Sequence, residues 1–540
     1  MLRKVEISIL ALLIIFAFYC AYTVGSSWDE YFVMSRGEER LKYLLSLGAY
    51  GSPTLWERHT EDLLPGFFAT FATFLKNIFP KKYEIESWHL INSFFSIFNF
   101  FGIYKISSLL FNKQVGKIVF LLCFINPILF GHMAINSKDT IVALANVWST
   151  YIFLRYIKKQ NLNTNSYRYI LLAGLAIGIG TGTRTPFLVT LFPLFIIIFF
   201  DIFFIKKLSN PNFSFKKFFF HASLVLLIAY MIMVSCWPHV HENIFIEPFK
   251  KVIAQISCKN TLAKCWMPWT LHNGKIFDTS QLPNSYVFVN FFYKSPEFIL
   301  ALYSISVYFF LSQKNFFESN FKNFWLKLFL ILFIILFPAI IFAMQPYNVY
   351  DGLRLFLYTI PYYNIIPAIV IYFLICNFKS SFLNKFLSIF IGISFVYYIF
   401  IFVSLAPYQY VYLNRFIGNF SESHKKFEND YWAISTKELV KKISNDKSLF
   451  DENKRIKITF CGAPHSLVKK DLQKIKKLKY DEGDINSSEF DYVIMTNRVV
   501  FKENTNFAKD VTTCYDKFKG KDIVVVKRNN LVLSTLRKKN

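Results

Sequence analysis

Apolar residues in this chain come in uninterrupted runs rather than at the spacing of a half-buried helix or strand. A hydrocarbon core about 30 Å thick needs about 20 such residues in a helix. Eleven runs qualify, near 6–24, 88–110, 115–132, 140–157, 168–183, 186–205, 217–237, 295–312, 325–344, 355–376 and 384–405. The first follows Met1-Leu2-Arg3-Lys4. It lacks the small-residue cleavage site of a signal peptide and is expected to be a signal-anchor helix. After about residue 406 the pattern changes: charges become frequent and long apolar runs stop. Arg455–Phe460, Phe490–Thr496, Asp522–Lys527 and Leu531–Leu533 are expected as strands, Trp432–Ile443 and Pro464–Lys477 as helices, an alternation that suggests a small α/β domain. The fold class expected is a polytopic α-helical membrane protein of about 11 transmembrane helices with a small C-terminal α/β extracytoplasmic domain. The division falls at 1–420 and 421–540, with long outer loops at 25–87 and 238–294.

Charge sharpens this picture. Of 540 residues, 61 are Lys or Arg and 35 Asp or Glu, a net +26. In a soluble protein that would suggest nucleic acid as a partner, but in a membrane protein basic residues gather in cytoplasmic loops. With the N-terminus cytoplasmic, the even-numbered loops hold the clusters, such as Arg155, Lys158, Lys159 and Arg168, or Lys206, Lys207, Lys216 and Lys217. The short outer loops hold Lys138, Arg184 and Arg354, one each. The expectation is a multi-pass plasma (bacterial inner) membrane protein, N-terminus inside and C-terminal domain outside, with no nucleic-acid partner. Residues 425–540 keep a balance of +10, read either as a solvated surface beside lipid headgroups or as contact with an anionic acceptor. Eight cysteines show no C-x-x-C pair, and Cys258 and Cys265 share one loop that could close a disulfide outside the cell.

The outer turns carry the candidate chemistry. Asp29 and Glu30 stand directly after the first span, where a carboxylate can take a proton from an attacking hydroxyl, unless they only close a solvated helix end. Lys138 and Asp139 occupy a short turn, the Lys suited to a phosphate or else snorkelling to the interface. Arg184 follows a run of glycines that suits close helix packing. Tyr350, Asp351 and Arg354 lie within one turn, and Arg can clamp a phosphate bidentately or simply pair with the Asp. His239, beside His241 and Glu242, offers metal-ligand types without an H-E-x-x-H motif, so no metal is assigned. Aromatic residues of that loop, such as Trp266 and Trp269, form an interfacial belt or line a groove. Carboxylates and cations from turns far apart in sequence thus face one side of the membrane.

These motifs resemble those of the GT-C superfamily of integral-membrane glycosyltransferases. The resemblance is to the dolichyl-phosphate-mannose protein mannosyltransferase-like family (glycosyltransferase family 39) and its lipid A aminoarabinose transferase-like relatives, over about residues 1–420. Trp28-Asp29-Glu30, Asn136-Ser137-Lys138-Asp139 and Tyr350-Asp351-Gly352-Leu353-Arg354 carry it, with Leu282–Tyr286, Ala406–Asn414 and Phe427–Trp432. Ser137 stands where many relatives have Pro, and Leu355 where they often have His. The resemblance implies inverting transfer of a sugar from a polyprenyl-phosphate donor to a hydroxyl of a lipid, glycan or protein acceptor. It implies Asp29 as base, and the adjacent Glu30 is expected with it as a catalytic carboxylate. The resemblance points to Lys138 and Arg354 as holding the donor phosphate; from the residues themselves Arg184 is expected to join them, and Asp139, Tyr350, Asp351 and His239 to orient substrate. No cofactor is assigned, and a divalent metal stays open. The rival readings are a lipid-linked anion transporter or flippase, a surface-polysaccharide polymerase or ligase, and a non-catalytic scaffold.

Overall fold

The computed structural model describes residues 2–50, 64–160, 166–257, 269–446, 455–475, 477–485, 489–499 and 511–540. Cys258, Cys265 and Trp266 lie outside them, so their pairing and placement are not described. The chain is a multi-pass helical membrane protein capped by a small mixed sheet. Among the described residues, eight helices are long and apolar enough to cross a membrane, or nine if one bent pair counts as a single span. They correspond to eight of the eleven expected runs.

The other three runs are helical in different forms. The 115–132 run breaks at Asn126 into Lys113–Phe124 and Pro127–His132. Asn126 caps the second piece by accepting from the N–H groups of Ile128 and Leu129, both at 3.1 Å. An Asn before Pro favours this restart, since Pro suits the first helical position. The 168–183 run is the 18-residue helix Ser166–Thr183. Its Gly174 and Gly178 lie against Ile228 and Ile232, where a Cβ would come within 2.8 Å, so these glycines set the close approach to the helix Phe215–Ser235. The 295–312 run is Glu297–Ser312, joined at a 113° bend to the short helix Tyr286–Lys294.

Two sheets stand outside the spans. In the long 238–294 loop, β1 (Trp269–His272) and β2 (Lys275–Asp278) pair antiparallel across Asn273-Gly274. Both turn residues have positive φ, 49° and 78°, the geometry an Asn-Gly hairpin supplies. The C-terminal region forms β3 (Ile456–Cys461), β4 (Tyr480–Glu482), β5 (Tyr492–Thr496), β6 (Gly520–Arg528) and β7 (Leu531–Lys539) in the order β4-β3-β5-β7-β6. β3 runs parallel to β4 and β5, while β7 is antiparallel to β5 and β6. The four expected strands are all present. The helices Thr436–Asn445 and His465–Leu472 are shorter than expected, and β4 follows the second. A disulfide joins Cys461 to Cys514, tying the end of β3 to the short helix Cys514–Lys517 that precedes β6.

The joint between membrane part and sheet is tight. The amide of Gly25, after the first span, donates to the carbonyl of Ile434 at 3.2 Å. A Cβ on Gly25 would meet that oxygen at 2.3 Å. The short helix Pro127–His132 lies on the backbone of Tyr410, where Gly131 has room for no side chain. These contacts bring residues 406–435 over the turns that carry Asp29 and Asp139.

Candidate active site

Each turn delivers its polar side chain for a local reason. Ser27 precedes the helix Trp28–Leu45, and its N–H donates to the Glu30 carboxylate at 2.6 Å. This return contact from the third helical residue is half of a capping box. It draws Glu30 inward to 1% exposure, where its other oxygen lies 2.9 Å from Nε2 of buried His89. Asp29, one residue earlier, points elsewhere and keeps about a third of its side chain exposed. The two adjacent acids are therefore separated by the helix start: one holds the turn, the other faces the site.

Asp139 begins the helix Asp139–Lys159. Asn136 brackets it, accepting from its N–H and donating to its Oδ2, each at 3.0 Å. Polar residues within the span Lys81–Leu110 pin the turn from behind: Asn92 donates to the Ala134 carbonyl and Ser96 to that of Met133, both at 3.1 Å. Asp351 and Gly352 adopt φ of +58° and +68°, and the Gly352 amide donates to the Tyr286 hydroxyl at 2.9 Å. A Cβ at Gly352 would come within 2.7 Å of the Lys294 side chain, so both conformation and space select glycine there.

These turns meet at Arg354, which is 3% exposed. Its Nε donates to Asp139 at 3.0 Å, one terminal nitrogen to Asp351 at 3.0 Å, and the other to Asp29. Arg184 reaches the second oxygen of Asp139 at 2.8 Å. The Arg354 guanidinium also lies over the rings of Trp432, 4.6 Å from the centroid, and Tyr350, 5.4 Å. Arginine's five donors and flat faces allow this use of edge and face together. Its partial burial would by itself raise the Asp29 pKa, but the charges of Arg354 and Lys138 outweigh it and hold the carboxyl below its usual range. Asp351 is raised by burial despite Arg354, and burial likewise raises Tyr350.

Of the residues singled out in the sequence, Asp29, Asp139, Arg184, Tyr350, Asp351 and Arg354 assemble into one cluster. Lys138 stands beside it and acts on Asp29 through its charge. Glu30 is buried in the turn. His239 sits instead beside Arg40, Lys251 and Arg36, where burial and those cations push its pKa down to about 3. Among the described residues, no group of three His, Cys, Asp or Glu is placed to hold a metal ion. The three aspartates converge, but on a guanidinium.

The structure adds residues with little sequence signal. His132 contacts Asn136 at 3.3 Å through Nδ1 and the Tyr431 hydroxyl at 3.1 Å through Nε2. Arg498, two residues past the end of β5, lays its guanidinium over Trp28 (4.3 Å) and Trp269 (5.6 Å) and donates to the Tyr431 carbonyl at 2.9 Å. Glu428 accepts from the Leu271 amide at 3.1 Å, and burial pushes its pKa up to about 7. Trp432 and Glu428 fall in a quoted motif, whereas only tertiary contact marks Arg498.

Comparison with known proteins adds a partial match. Among solved structures, this chain is similar to apo ArnT from Cupriavidus metallidurans (8% identity, TM-score 0.49, 99% of this chain and 97% of that one). It is also similar to the AglB oligosaccharyltransferase of Archaeoglobus fulgidus in complex with an inhibitory peptide and a dolichol-phosphate (11% identity, TM-score 0.48, 92% and 69%). No curated protein matches in sequence. Residues 65–237 match the family model described as dolichyl-phosphate-mannose-protein mannosyltransferase. That segment includes Lys138, Asp139 and Arg184, while Asp29 and Arg354 lie outside it. Over residues 65–237 the resemblance read from the sequence is thus borne out, since this segment carries the signature of the dolichyl-phosphate-mannose-protein mannosyltransferases.

Proposed function

We propose that this protein transfers a sugar from a polyprenyl-phosphate donor to an acceptor hydroxyl on the outer face of the membrane, with inversion. The observation that carries the reading is the junction of Arg354 with Asp29, Asp139 and Asp351, assembled from turns over 300 residues apart in sequence. It sets a carboxylate that can accept a proton beside cations that can take a leaving phosphate. The family description of residues 65–237 supports a lipid-phosphate-linked sugar as donor. Basic residues concentrated in alternate loops support the outer placement. So does the disulfide Cys461–Cys514, a bond that persists in oxidising compartments.

In this reading the donor phosphate approaches Lys138, Arg184 and Arg354. The acceptor oxygen attacks the anomeric carbon from the side opposite the phosphate. As that C–O bond forms, the anomeric carbon–phosphate oxygen bond breaks and polyprenyl phosphate departs with the electron pair. The hydroxyl proton passes to Asp29. Arg354 links the two events: while it binds Asp29 it keeps that carboxylate ionised but weakly basic. A phosphate that competes for the guanidinium releases Asp29 and raises its basicity, which favours proton transfer only once donor is bound. The cations then stabilise the charge that develops on the leaving phosphate. Asp139 and Asp351 hold Arg354 in place, Tyr350 and Trp432 flank it, and Glu30 fixes the turn that presents Asp29.

The test is incubation of the purified protein with a panel of polyprenyl-phosphate sugars and hydroxyl acceptors, following release of polyprenyl phosphate. Asp29→Asn should abolish release while the protein remains folded. Full release by that variant refutes the base assignment, and no release from any donor by the unaltered protein refutes the transferase reading.

A further inference from the structure

Away from the Arg354 cluster, a polar cleft of about 540 Å³ opens where the membrane part meets the C-terminal sheet domain. One wall is the start of the span Lys81–Leu110, with Lys81 and Lys82. The facing wall is the helix His465–Leu472 and the residues after it, with Lys470 and Lys474. Lys437, at the start of Thr436–Asn445, closes the back, where it donates to the carbonyls of Tyr22 and Val24, both at 3.2 Å.

The carboxylates in the cleft are already engaged. Glu38 and Glu84 share buried Lys76 at 2.7 and 2.9 Å. Glu86 pairs with Lys437 at 3.0 Å and Asp471 with Lys474 at 2.7 Å. With Lys76 included, six lysines face four carboxylates, a local balance of +2. Among the described residues Lys81 and Lys82 meet no carboxylate, and Lys470 is exposed and 3.5 Å from an oxygen of Glu84 that Lys76 does not bind. The excess positive charge therefore rests on Lys81 and Lys82 of the membrane part, faced across the opening by Lys470 and Lys474 of the sheet domain, which pair with Glu84 and Asp471.

Depth identifies what it would bind. Lys81 and Lys82 mark the outer end of a membrane span, the level of lipid headgroups. Next to them Ile78, Phe79 and Tyr83 are 72%, 49% and 41% exposed, an apolar margin along which an acyl chain can lie. We propose that this cleft binds the phosphate of an anionic phospholipid of the outer leaflet, bridging Lys81 and Lys82 of the membrane part to Lys470 and Lys474 of the sheet domain. The basic balance of the C-terminal domain thereby gains a ligand, independent of whether the Arg354 cluster transfers sugar.

The test is native mass spectrometry of the full chain, in detergent, with phosphatidic acid, phosphatidylcholine or inorganic phosphate. The unaltered protein should retain phosphatidic acid in preference to phosphatidylcholine. Loss of two lysines near a membrane surface should weaken that retention about thirtyfold, in both Lys81→Gln/Lys82→Gln and Lys470→Gln/Lys474→Gln. Failure of inorganic phosphate to displace the lipid supports a lipid-borne phosphate. Displacement at matching concentration overturns the lipid in favour of free phosphate. Equal retention of both lipids, or unchanged retention in either lysine pair, overturns the site. Asp29→Asn should bind phosphatidic acid normally, so failure of this proposal is separable from failure of the transferase reading.

Discussion

Replacing Arg354 by Gln removes the one positive charge that three aspartates share, but the three do not suffer equally. Asp29 is over a third exposed, so water can screen it and its bond to Arg354 contributes little net stability. Asp139 keeps Arg184 at 2.8 Å and Asn136 at 3.0 Å. Asp351, 12% exposed, keeps neither, and Arg354 is its ion-pair partner at 3.0 Å. The cost of Arg354→Gln should therefore concentrate on Asp351. Breaking a buried pair by removing one member costs about 3–5 kcal/mol. Asp351→Asn should cost less, about 1.5–3 kcal/mol, because Arg354 retains two carboxylates. The double variant should be more stable than the sum of the single effects by about 1–3 kcal/mol, since Asn at 351 has no charge to strand. Denaturant unfolding in detergent micelles, followed by tryptophan fluorescence, measures all four corners of the cycle. Additivity within about 0.5 kcal/mol would mean that Asp351 does not depend on Arg354 and would refute the argument.

Other consequences can be checked separately. Asp29→Asn should leave unfolding nearly unchanged while abolishing transfer, so a loss of stability comparable to that of Arg354→Gln would contradict the screened placement of Asp29. Glu428 has a raised pKa, so the folded protein binds a proton that the unfolded chain releases near pH 4.5; its contribution should fall as pH rises from about 4.5 to about 7. Glu428→Gln should flatten that part of the stability–pH profile, and an unchanged slope would show that burial does not hold the proton there. The Cys461–Cys514 link closes 53 residues, and chain entropy assigns such a loop about 4 kcal/mol. Cys514→Ser should therefore loosen the sheet domain, seen as faster proteolysis around β3–β5, and equal protection would contradict the entropic account. Gly131→Ala places a methyl against the Tyr410 backbone, which has no side-chain freedom to yield, and should cost at least 1–3 kcal/mol in the same unfolding assay.

The membrane architecture was legible because it depends on local composition. A run of about 20 apolar residues must be helical in a lipid core, where each backbone group needs an internal partner. All eleven runs are helical, and they depart from expectation where a capping residue interrupts them, as Asn126-Pro127 does, or where a span bends, as at Ser295-Pro296. The four expected C-terminal strands were visible for a similar reason, as β-rich segments bounded by turns. The short turns also announced most of the site: a charge in a short connection is unusual whatever it touches.

What such local signals cannot carry is partnership. Asp29 and Glu30 are equivalent as adjacent acids, and only the capping of Ser27 and the presence of His89 bury one and leave the other facing Arg354. Arg354 reads as a phosphate clamp or half of an ion pair with Asp351, and the fold instead gives it three carboxylates and the faces of two rings. His239 lies in the same 238–294 loop as Trp269, yet the fold places the first by Arg40 and the second by Arg498. Arg498 is one basic residue among many until β5 sets it over Trp28. Sequence by itself determined which segments enter the membrane and which charges stay at its surface, because hydration is a property of each residue. Tertiary structure decided which charges meet, because a pairing energy depends on distance and burial between residues that the chain does not place side by side.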